Sequence, residues 1–267
     1  MGAIKTSKGA VGVVENGCGN SVPIVFLHGV GSDKSVWAPQ LAYFGQTRRA
    51  VAFDYPGYGE SDRAPDSTTR DDYAVAILSA MDALEIDQAH ICGLSLGGIV
   101  AIALYHAAAG RCASLIIADS FVAHPDGQAI YDRSIAGSAD MRALAEARAD
   151  FLLAQPAAAA VRAEVIETMS RIDPAGYRIG AKAVWLANQE DRVRQICTPA
   201  LILCGDQDLP TPPSLSREMH SLIPNSRLEI ISNAGHLTNI EQPDEFNRLV
   251  DEFVMTVDAR AQAIKTA

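Results

Sequence analysis

The sequence has few basic residues and none of the residue spacings typical of metal or dinucleotide sites. Its 22 Lys and Arg stand against 32 Asp and Glu, giving a net charge of −10 over 267 residues. Because basic patches supply most of the affinity for nucleic acids and anionic membranes, this balance argues against both partners. The histidines show no metal-ligand spacing, and the G-x-G runs at Gly17, Gly29 and Gly57 lack a third glycine. The expected partner is a small molecule, with no metal.

Long apolar runs and paired cysteines are also missing. No stretch approaches the roughly 18 apolar residues of a membrane helix, and the N-terminus lacks the apolar core of a signal peptide. The five cysteines form no C-x-x-C, and an odd number leaves at least one unpaired in a monomer. Cys92 and Cys204 fall in predicted buried strands, so we interpret them as reduced packing residues. These features favour a cytoplasmic protein; they leave its oligomeric state open.

Strand-like and helix-like segments alternate along most of the chain. Short apolar runs between turn residues indicate strands buried on both faces of a mostly parallel sheet. Segments with apolar residues at helical spacing lie between them, and Ser35 is placed to cap the first helix. The sequence therefore predicts an α/β fold. The predicted strands are 11–15, 24–27, 50–53, 89–92, 115–118, 200–204 and 228–231, and the predicted helices are 36–44, 71–84, 99–109, 214–222 and 243–257.

Residues 121–194 interrupt this alternation. The segment has no strong strand runs, is rich in alanine, and is divided by Pro156 and Pro174 into several helical pieces. We therefore predict one interrupted domain, with a core formed by 1–120 and 195–267 and a helical cap formed by the inserted segment.

Residues 92–98, Cys-Gly-Leu-Ser-Leu-Gly-Gly, place a serine at a strand-to-helix corner. A corner this sharp strains the backbone of Ser95, so the residues two before and two after it must lack bulk, as Gly93 and Gly97 do. The hydroxyl is then directed out of the sheet, where the N–H of Leu96 at the helix start also points. The alternative is a glycine-rich turn whose serine only caps the helix.

A serine hydroxyl becomes a nucleophile only beside a base, and a third group must orient that base. His236 follows the last predicted strand, whereas Asp119, Asp206 and Asp208 follow or end other strands. Carboxyl ends of parallel strands meet at one edge of a sheet, so these residues should lie near Ser95. The order Ser, Asp, His is the one expected for this architecture. Spacing alone leaves the choice among the three aspartates open.

Together these motifs resemble the α/β-hydrolases with a helical cap, over nearly the whole chain from about Val11. The resemblance implies a serine hydrolase without a cofactor, and its spacing of a glycine, two residues and an aspartate favours Asp208 as the acid. The matching features are the oxyanion loop at 28–31, the glycine-rich turn at 54–61, the elbow at 93–98, the catalytic Ser95, Asp208 and His236, and the oxyanion-hole N–H groups of Val30 and Leu96.

Two stretches, 174–177 and 235–243, resemble the 3-oxoadipate enol-lactonase group within that superfamily. The chain departs from this group by having His28 and by having Leu96 where methionine is more common. The resemblance implies a carboxylic ester or lactone as substrate, and Trp185 and His28 are candidate substrate contacts. Packing for Trp185 and bracing of the oxyanion loop for His28 are the alternatives. A carbon–carbon bond hydrolase, a cofactor-free perhydrolase and a non-catalytic ligand-binding module remain alternative functions.

Overall fold

An eight-stranded sheet forms the centre of the structure, a computed structural model that describes residues 2–266. The strands are arranged in the order β1-β2-β4-β3-β5-β6-β7-β8, and all neighbours are parallel except β1 with β2 and β2 with β4. The strands are β1 (Gly2–Thr6), β2 (Gly9–Asn16), β3 (Ile24–Leu27), β4 (Ala50–Phe53), β5 (Ala89–Leu94), β6 (Cys112–Ala118), β7 (Ala200–Gly205) and β8 (Ser226–Ile231).

Helices cover both faces of this sheet. No helix within 2–266 combines the length and apolarity needed to cross a bilayer. Short 3-10 helices lie at Lys34–Trp37 and Ala109–Arg111. The α-helices are α1 (Ala38–Phe44), α2 (Arg70–Ala83), α3 (Leu96–Ala107), α4 (Gly127–Gly137), α5 (Met141–Leu152), α6 (Ala159–Ser170), α7 (Pro174–Trp185), α8 (Glu190–Val193), α9 (Pro213–Leu222), α10 (Thr238–Glu241) and α11 (Pro243–Thr266).

Two apolar clusters, one on each face of the sheet, form the core. Helices α2 and α3 pack together on one face, and α1 and α11 pack together on the other. Every residue of β3, β4, β5 and β7 is buried, which confirms strands with two covered faces. Cys92 and Cys204 lie in β5 and β7 as buried, unpaired thiols. The predicted α/β fold with a mostly parallel sheet is therefore confirmed.

The structure differs from the sequence-based expectation at two places near the N-terminus. Strand β1 was not predicted, because its residues alternate between exposed and half-buried and it pairs with β2 alone at the sheet edge. Ser35 does not cap a helix. Asp33 instead takes the extended cap conformation and accepts a hydrogen bond from the Ser35 N–H, starting the 3-10 helix that leads into α1.

Helices α4 to α8 lie between β6 and β7, and we call this segment the helical insertion. Pro174 begins α7, where its missing N–H costs no helical hydrogen bond, and Pro156 lies between α5 and α6. Helix α5 packs on α6 and α4 packs on α7, while α7 also contacts α3 of the core. The insertion is thus anchored on the helix that follows Ser95.

A buried ion pair fixes the loops that follow β3 and β4. Asp54 accepts hydrogen bonds from the Lys34 Nζ at 2.6 Å and from the Glu60 N–H at 3.0 Å. Burial disfavours the charge of Lys34, but hydrogen bonds to Asp54 and Glu60 raise its pKa above the ordinary value. Gly59 has a φ of +49°, and a Cβ there would overlap the Asp54 carboxylate. The glycine-rich turn therefore packs directly against the Asp54 carboxylate.

The corner between β5 and α3 has the strained backbone that the flanking glycines predicted. Ser95 has φ 56° and ψ −113°, a conformation that non-glycine residues rarely adopt. A Cβ on Gly93 would overlap the carbonyl oxygen of Gly97, and a Cβ on Gly97 would overlap that of Leu27. The helix can begin immediately after the serine only because both side chains are absent.

Replacing Gly97 with alanine should therefore destabilise the protein, because the new methyl group meets the rigid Leu27 carbonyl. We expect a loss of about 1–3 kcal/mol in the free energy of unfolding, measured by urea denaturation. Gly110→Ala is the matched control, since its added Cβ has nothing within 4 Å. Equal unfolding midpoints for the two variants would contradict this account of the corner.

Candidate active site

Ser95 lies at the carboxyl edge of the sheet, with its hydroxyl facing His236. Its N–H donates to the Ala118 carbonyl at 2.8 Å, which ties the corner to the end of β6. The Ser95 Oγ lies 3.0 Å from the His236 Nε2, within hydrogen-bond distance. Both side chains are almost fully buried. The structure thus brings the predicted nucleophile and base together.

The other ring nitrogen of His236 faces Asp208. The Nδ1 lies 3.0 Å from Asp208 Oδ2 and 3.1 Å from Oδ1. An Nδ1–H that donates to this carboxylate leaves Nε2 as the acceptor for the serine proton. The structure therefore places the three residues in the order that proton transfer from Ser95 requires.

Thr211 completes the environment of Asp208 and was not anticipated. Its N–H donates to Oδ1 at 2.8 Å and its hydroxyl donates to Oδ2 at 2.7 Å. These two donors give each oxygen of the buried Asp208 side chain a hydrogen-bond partner and fix its orientation. The signal was present in the sequence, since an aspartate often bonds the backbone a few residues further on in a turn.

The two alternative acids lie elsewhere, and neither carboxylate is within hydrogen-bond distance of His236 among the described residues. Asp206 accepts a bond from the Ala234 N–H at 3.3 Å. Asp119 is fully buried and accepts from the Gly205 N–H at 3.0 Å and the Thr238 hydroxyl at 2.5 Å. Burial, and then the nearby charge of Asp208, raise the pKa of Asp119 well above its usual range. Asp119 therefore holds a charge less readily than an exposed aspartate, and Asp208 is the carboxylate that faces the histidine.

Within residues 2–266, one group of side chains has the composition and spacing of a possible metal site. It consists of Asp119, Asp208 and the Cys204 thiol, whose potential ligand atoms lie within 4.8 Å of one another. Both carboxylates already accept hydrogen bonds from protein donors. Burial raises the pKa of the Cys204 thiol, which keeps it protonated. The cluster therefore has the chemistry of a packed hydrogen-bond network.

The half-buried carboxylate of Glu241 holds the loop at 232–237, which we call the histidine loop, against the helical insertion. Glu241 accepts from the N–H groups of Gly235 and Leu237 through one oxygen and from Ala154 of the insertion through the other, at 2.7 to 3.1 Å. The His236 N–H donates to the Leu152 carbonyl at 2.6 Å. These bonds join two segments distant in sequence, so no local pattern could have identified Glu241 as their anchor.

The loop at 28–31 lies beside the serine, as the oxyanion assignment requires. A Cβ on Gly29 would be 3.5 Å from the Ser95 Cβ, and Val30 lines the same cavity as the serine. Leu96 is the first residue of α3, so its N–H has no partner within the helix. The assignment of the Val30 and Leu96 N–H groups as oxyanion donors remains a prediction.

The structure does not bring His28 to the cavity wall. Its ring is 0% exposed and packs against Tyr55 and Tyr58, with ring centroids 4.4 and 5.0 Å away. The Nδ1 lies 2.8 Å from the Gly29 carbonyl oxygen. Burial lowers the pKa of the imidazole, which favours its neutral form. This position corresponds to the alternative in which His28 braces the loop.

Trp185 does line the cavity above the serine. It is 2% exposed, stacks on Phe121 and has the Arg148 guanidinium 6.0 Å from its ring centroid. Arg148 lines the same cavity, which has a volume of about 50 Å³ and mostly apolar walls from the insertion and the histidine loop. The Arg148 guanidinium, the Trp185 indole and the Glu164 side chain therefore line the same cavity as Ser95.

Comparisons with known proteins agree with this geometry. Residues 24–249 match the model of the alpha/beta hydrolase family. The chain is 31% identical to 3-oxoadipate enol-lactonase 1 of Acinetobacter baylyi, over 91% of this chain and 92% of that protein. It is 29% identical to 2-hydroxymuconate semialdehyde hydrolase of Pseudomonas sp., over 91% and 90%. The crystal structure of the enol-lactonase from Burkholderia xenovorans superposes with a TM-score of 0.87 at 27% identity, covering 95% of this chain and 99% of that one. A family match across most of the chain, joined to the sheet order and the corner at Ser95, means that this protein belongs to the alpha/beta hydrolase family.

Proposed function

We propose that the protein is a serine hydrolase that cleaves a carboxylic ester or lactone through an acyl-enzyme on Ser95. The observation that carries this proposal is the continuous line from Ser95 Oγ to His236 Nε2, at 3.0 Å, and from His236 Nδ1 to Asp208, at 3.0 Å. A non-catalytic binding module on the same fold would need no such line of three buried side chains.

Acylation begins when the Ser95 Oγ attacks the substrate carbonyl. The hydroxyl proton moves to the His236 Nε2, and the Asp208 carboxylate stabilises the imidazolium that forms. The N–H groups of Leu96 and Val30 hold the tetrahedral oxyanion, each worth about 3–4 kcal/mol in comparable sites. The intermediate collapses, the carbon–oxygen bond to the leaving group breaks, and the histidine returns its proton to that oxygen. No step requires a cofactor.

Deacylation repeats these transfers with water as the nucleophile. His236 takes a proton from water, the hydroxide attacks the acyl carbonyl, and the Ser95 Oγ leaves and recovers its proton from the imidazolium. The helical insertion acts as a cap that excludes bulk water and supplies part of the substrate site. Trp185 is the contact we assign from that cap.

The substrate of this site carries a carboxylate, and Arg148 binds it. Of the six arginines at 133, 142, 148, 162, 171 and 178, Arg148 lines the cavity that contains Ser95. Its guanidinium has no carboxylate partner among the described residues; its hydrogen bonds go to Tyr177 and Ser134 hydroxyls, at 3.3 and 3.4 Å. Arg142, by contrast, is paired with Glu146 at 2.8 Å on the surface. An unpaired guanidinium suits bidentate binding of a carboxylate.

Hydrolysis of a carbon–carbon bond is the second candidate. The 2-hydroxymuconate semialdehyde hydrolase relatives, at 29% identity over about nine-tenths of both chains, favour it over the perhydrolase alternative. Substrate profiling with lactones, aryl esters and dienone acids separates the two candidates. Turnover of dienone acids with no turnover of lactones or esters would replace the ester proposal.

Ser95→Ala should abolish catalysis while leaving the fold intact, because the triad acts as a unit. We expect kcat for an activated aryl ester to fall about a thousandfold or more, with labelling by a fluorophosphonate probe lost. Ser221→Ala, at an exposed position of α9, is the matched control and should keep both activity and labelling. Substantial turnover by the Ser95 variant would rule out a serine nucleophile.

Asp208→Asn and Asp206→Asn distinguish the two neighbouring aspartates. The first removes the carboxylate that orients and stabilises His236, so kcat should fall by about 10³ to 10⁴. The second keeps an oxygen acceptor for the Ala234 N–H, so kcat should change by less than about threefold. Steady-state kinetics at one pH suffices, and the reverse ranking would move the acid role to Asp206.

Arg148→Ala should raise KM for a carboxylate-bearing lactone by tenfold or more, equivalent to about 1.4 kcal/mol. KM for a neutral ester should stay nearly constant, because that substrate makes no ion pair with the guanidinium. Arg142→Ala is the matched control and should affect neither substrate. An equal increase for both substrates would assign Arg148 a packing role, and the serine mechanism would stand.

A further inference from the structure

A second groove shares two wall residues, Arg148 and Trp185, with the cavity that contains Ser95. At helix α5 the neighbouring residues Phe151 and Leu152 line the groove and the cavity, respectively. Leu209 of the groove directly follows the triad residue Asp208. The groove therefore adjoins the cavity that contains Ser95.

The sizes of the two spaces differ in a way that bears on the substrate. The cavity at Ser95 has a volume of about 50 Å³, and the groove has about 420 Å³. Pockets that bind small organic ligands usually enclose roughly 300–1,000 Å³. The cavity alone has room for the scissile group and little else, so a substrate of ordinary size must extend beyond it. The groove is the adjoining space of suitable volume.

The groove displays large apolar side chains to solvent. Leu209 is 59% exposed and Phe151 is 46% exposed, and they come from the loop after β7 and from the insertion, respectively. Exposed apolar surface that converges on one concavity is typical of a binding site, whereas single exposed hydrophobic residues need no explanation. Leu144 and Ile130 extend the apolar wall, while Arg133 and Asp126 supply charges of opposite sign. The groove is therefore suited to an apolar group.

We propose that this groove is the second compartment of the substrate site and binds an apolar alkyl or aryl segment attached to the scissile ester or lactone. The proposal rests on the proposed function, because it treats the groove as an extension of the site at Ser95. It adds that the substrate has a larger apolar end, which lies between Phe151 and Leu209, besides the small reacting end held at the serine and the carboxylate bound by Arg148.

The test compares substrates that differ only in apolar length. One series is the 4-nitrophenyl esters from acetate to octanoate, and the other is the acetates of methanol, butanol and hexanol. The measured quantity is the ratio of kcat/KM for the longest substrate to that for the shortest. We expect this ratio to exceed one for the wild type in one of the series, which also identifies whether the acyl or the alcohol side occupies the groove.

Leu209→Ser and Phe151→Ser should each lower that ratio about tenfold. Because Leu209 is adjacent to Asp208, its substitution could lower kcat/KM for every substrate. Such a general loss affects both members of the ratio equally and therefore cancels. Met255→Ser is the matched control, since Met255 is 58% exposed on α11 and lies outside the groove. Its ratio should equal that of the wild type.

Two outcomes would overturn the proposal in distinguishable ways. If Ser95 reacts with a fluorophosphonate and esters are cleaved, but both groove variants keep the wild-type ratio, the groove assignment alone is wrong. If the wild type cleaves no ester in either series and Ser95 is not labelled, the proposed function fails and the groove assignment fails with it.

Discussion

The close approach of α3 to the end of β3 is the constraint on which the rest of the site depends. The backbone of Gly97 lies against the Leu27 carbonyl, so the helix begins one residue after the strained Ser95 and points its first N–H groups at the sheet edge. The loop that follows Leu27 is consequently pressed against the serine, with Gly29 beside its Cβ. One steric contact thus fixes the positions of Ser95, the N-terminus of α3 and the loop at 28–31 relative to one another.

Asp119 and Asp208 both lie at this edge of the sheet, and they differ in their electrostatic surroundings rather than in their position. Asp119 and Asp208 are both buried near the ends of neighbouring strands, and two ionised carboxylates in such a place repel each other. The Asp208 carboxylate faces His236 and accepts both donors of Thr211, whereas Asp119 accepts from Gly205 and Thr238. Burial and the nearby Asp208 raise the pKa of Asp119 well above its usual range. The Asp119 carboxyl also serves the fold, because its hydrogen bonds tie the ends of β6 and β7 to the start of α10.

The sequence predicted the parts of this structure that local patterns encode. Strands β3 and β4 end where the apolar runs end, and the corner glycines act within two residues of Ser95. Contacts between distant segments could not be predicted in this way: the tie of Glu241 to Ala154 depends on how the insertion docks. Local patterns also could not predict that the His28 ring is buried, or that Arg148 is the one of the six arginines that lines the cavity. Edge strand β1 was missed because it has no continuous apolar run.

The negative charge of the whole chain and the cation in its cavity act over different distances. A net charge of −10 repels anions at long range, but salt at physiological strength screens that field beyond about 8–10 Å. At contact distance the local groups matter more, and the half-buried Arg148 guanidinium has hydroxyl oxygens and the Trp185 ring as neighbours in place of part of its hydration. A cation desolvated without a counterion is unfavourable in the free protein. Under the proposed function, a carboxylate on the substrate would supply that counterion and would offset the repulsion met during approach.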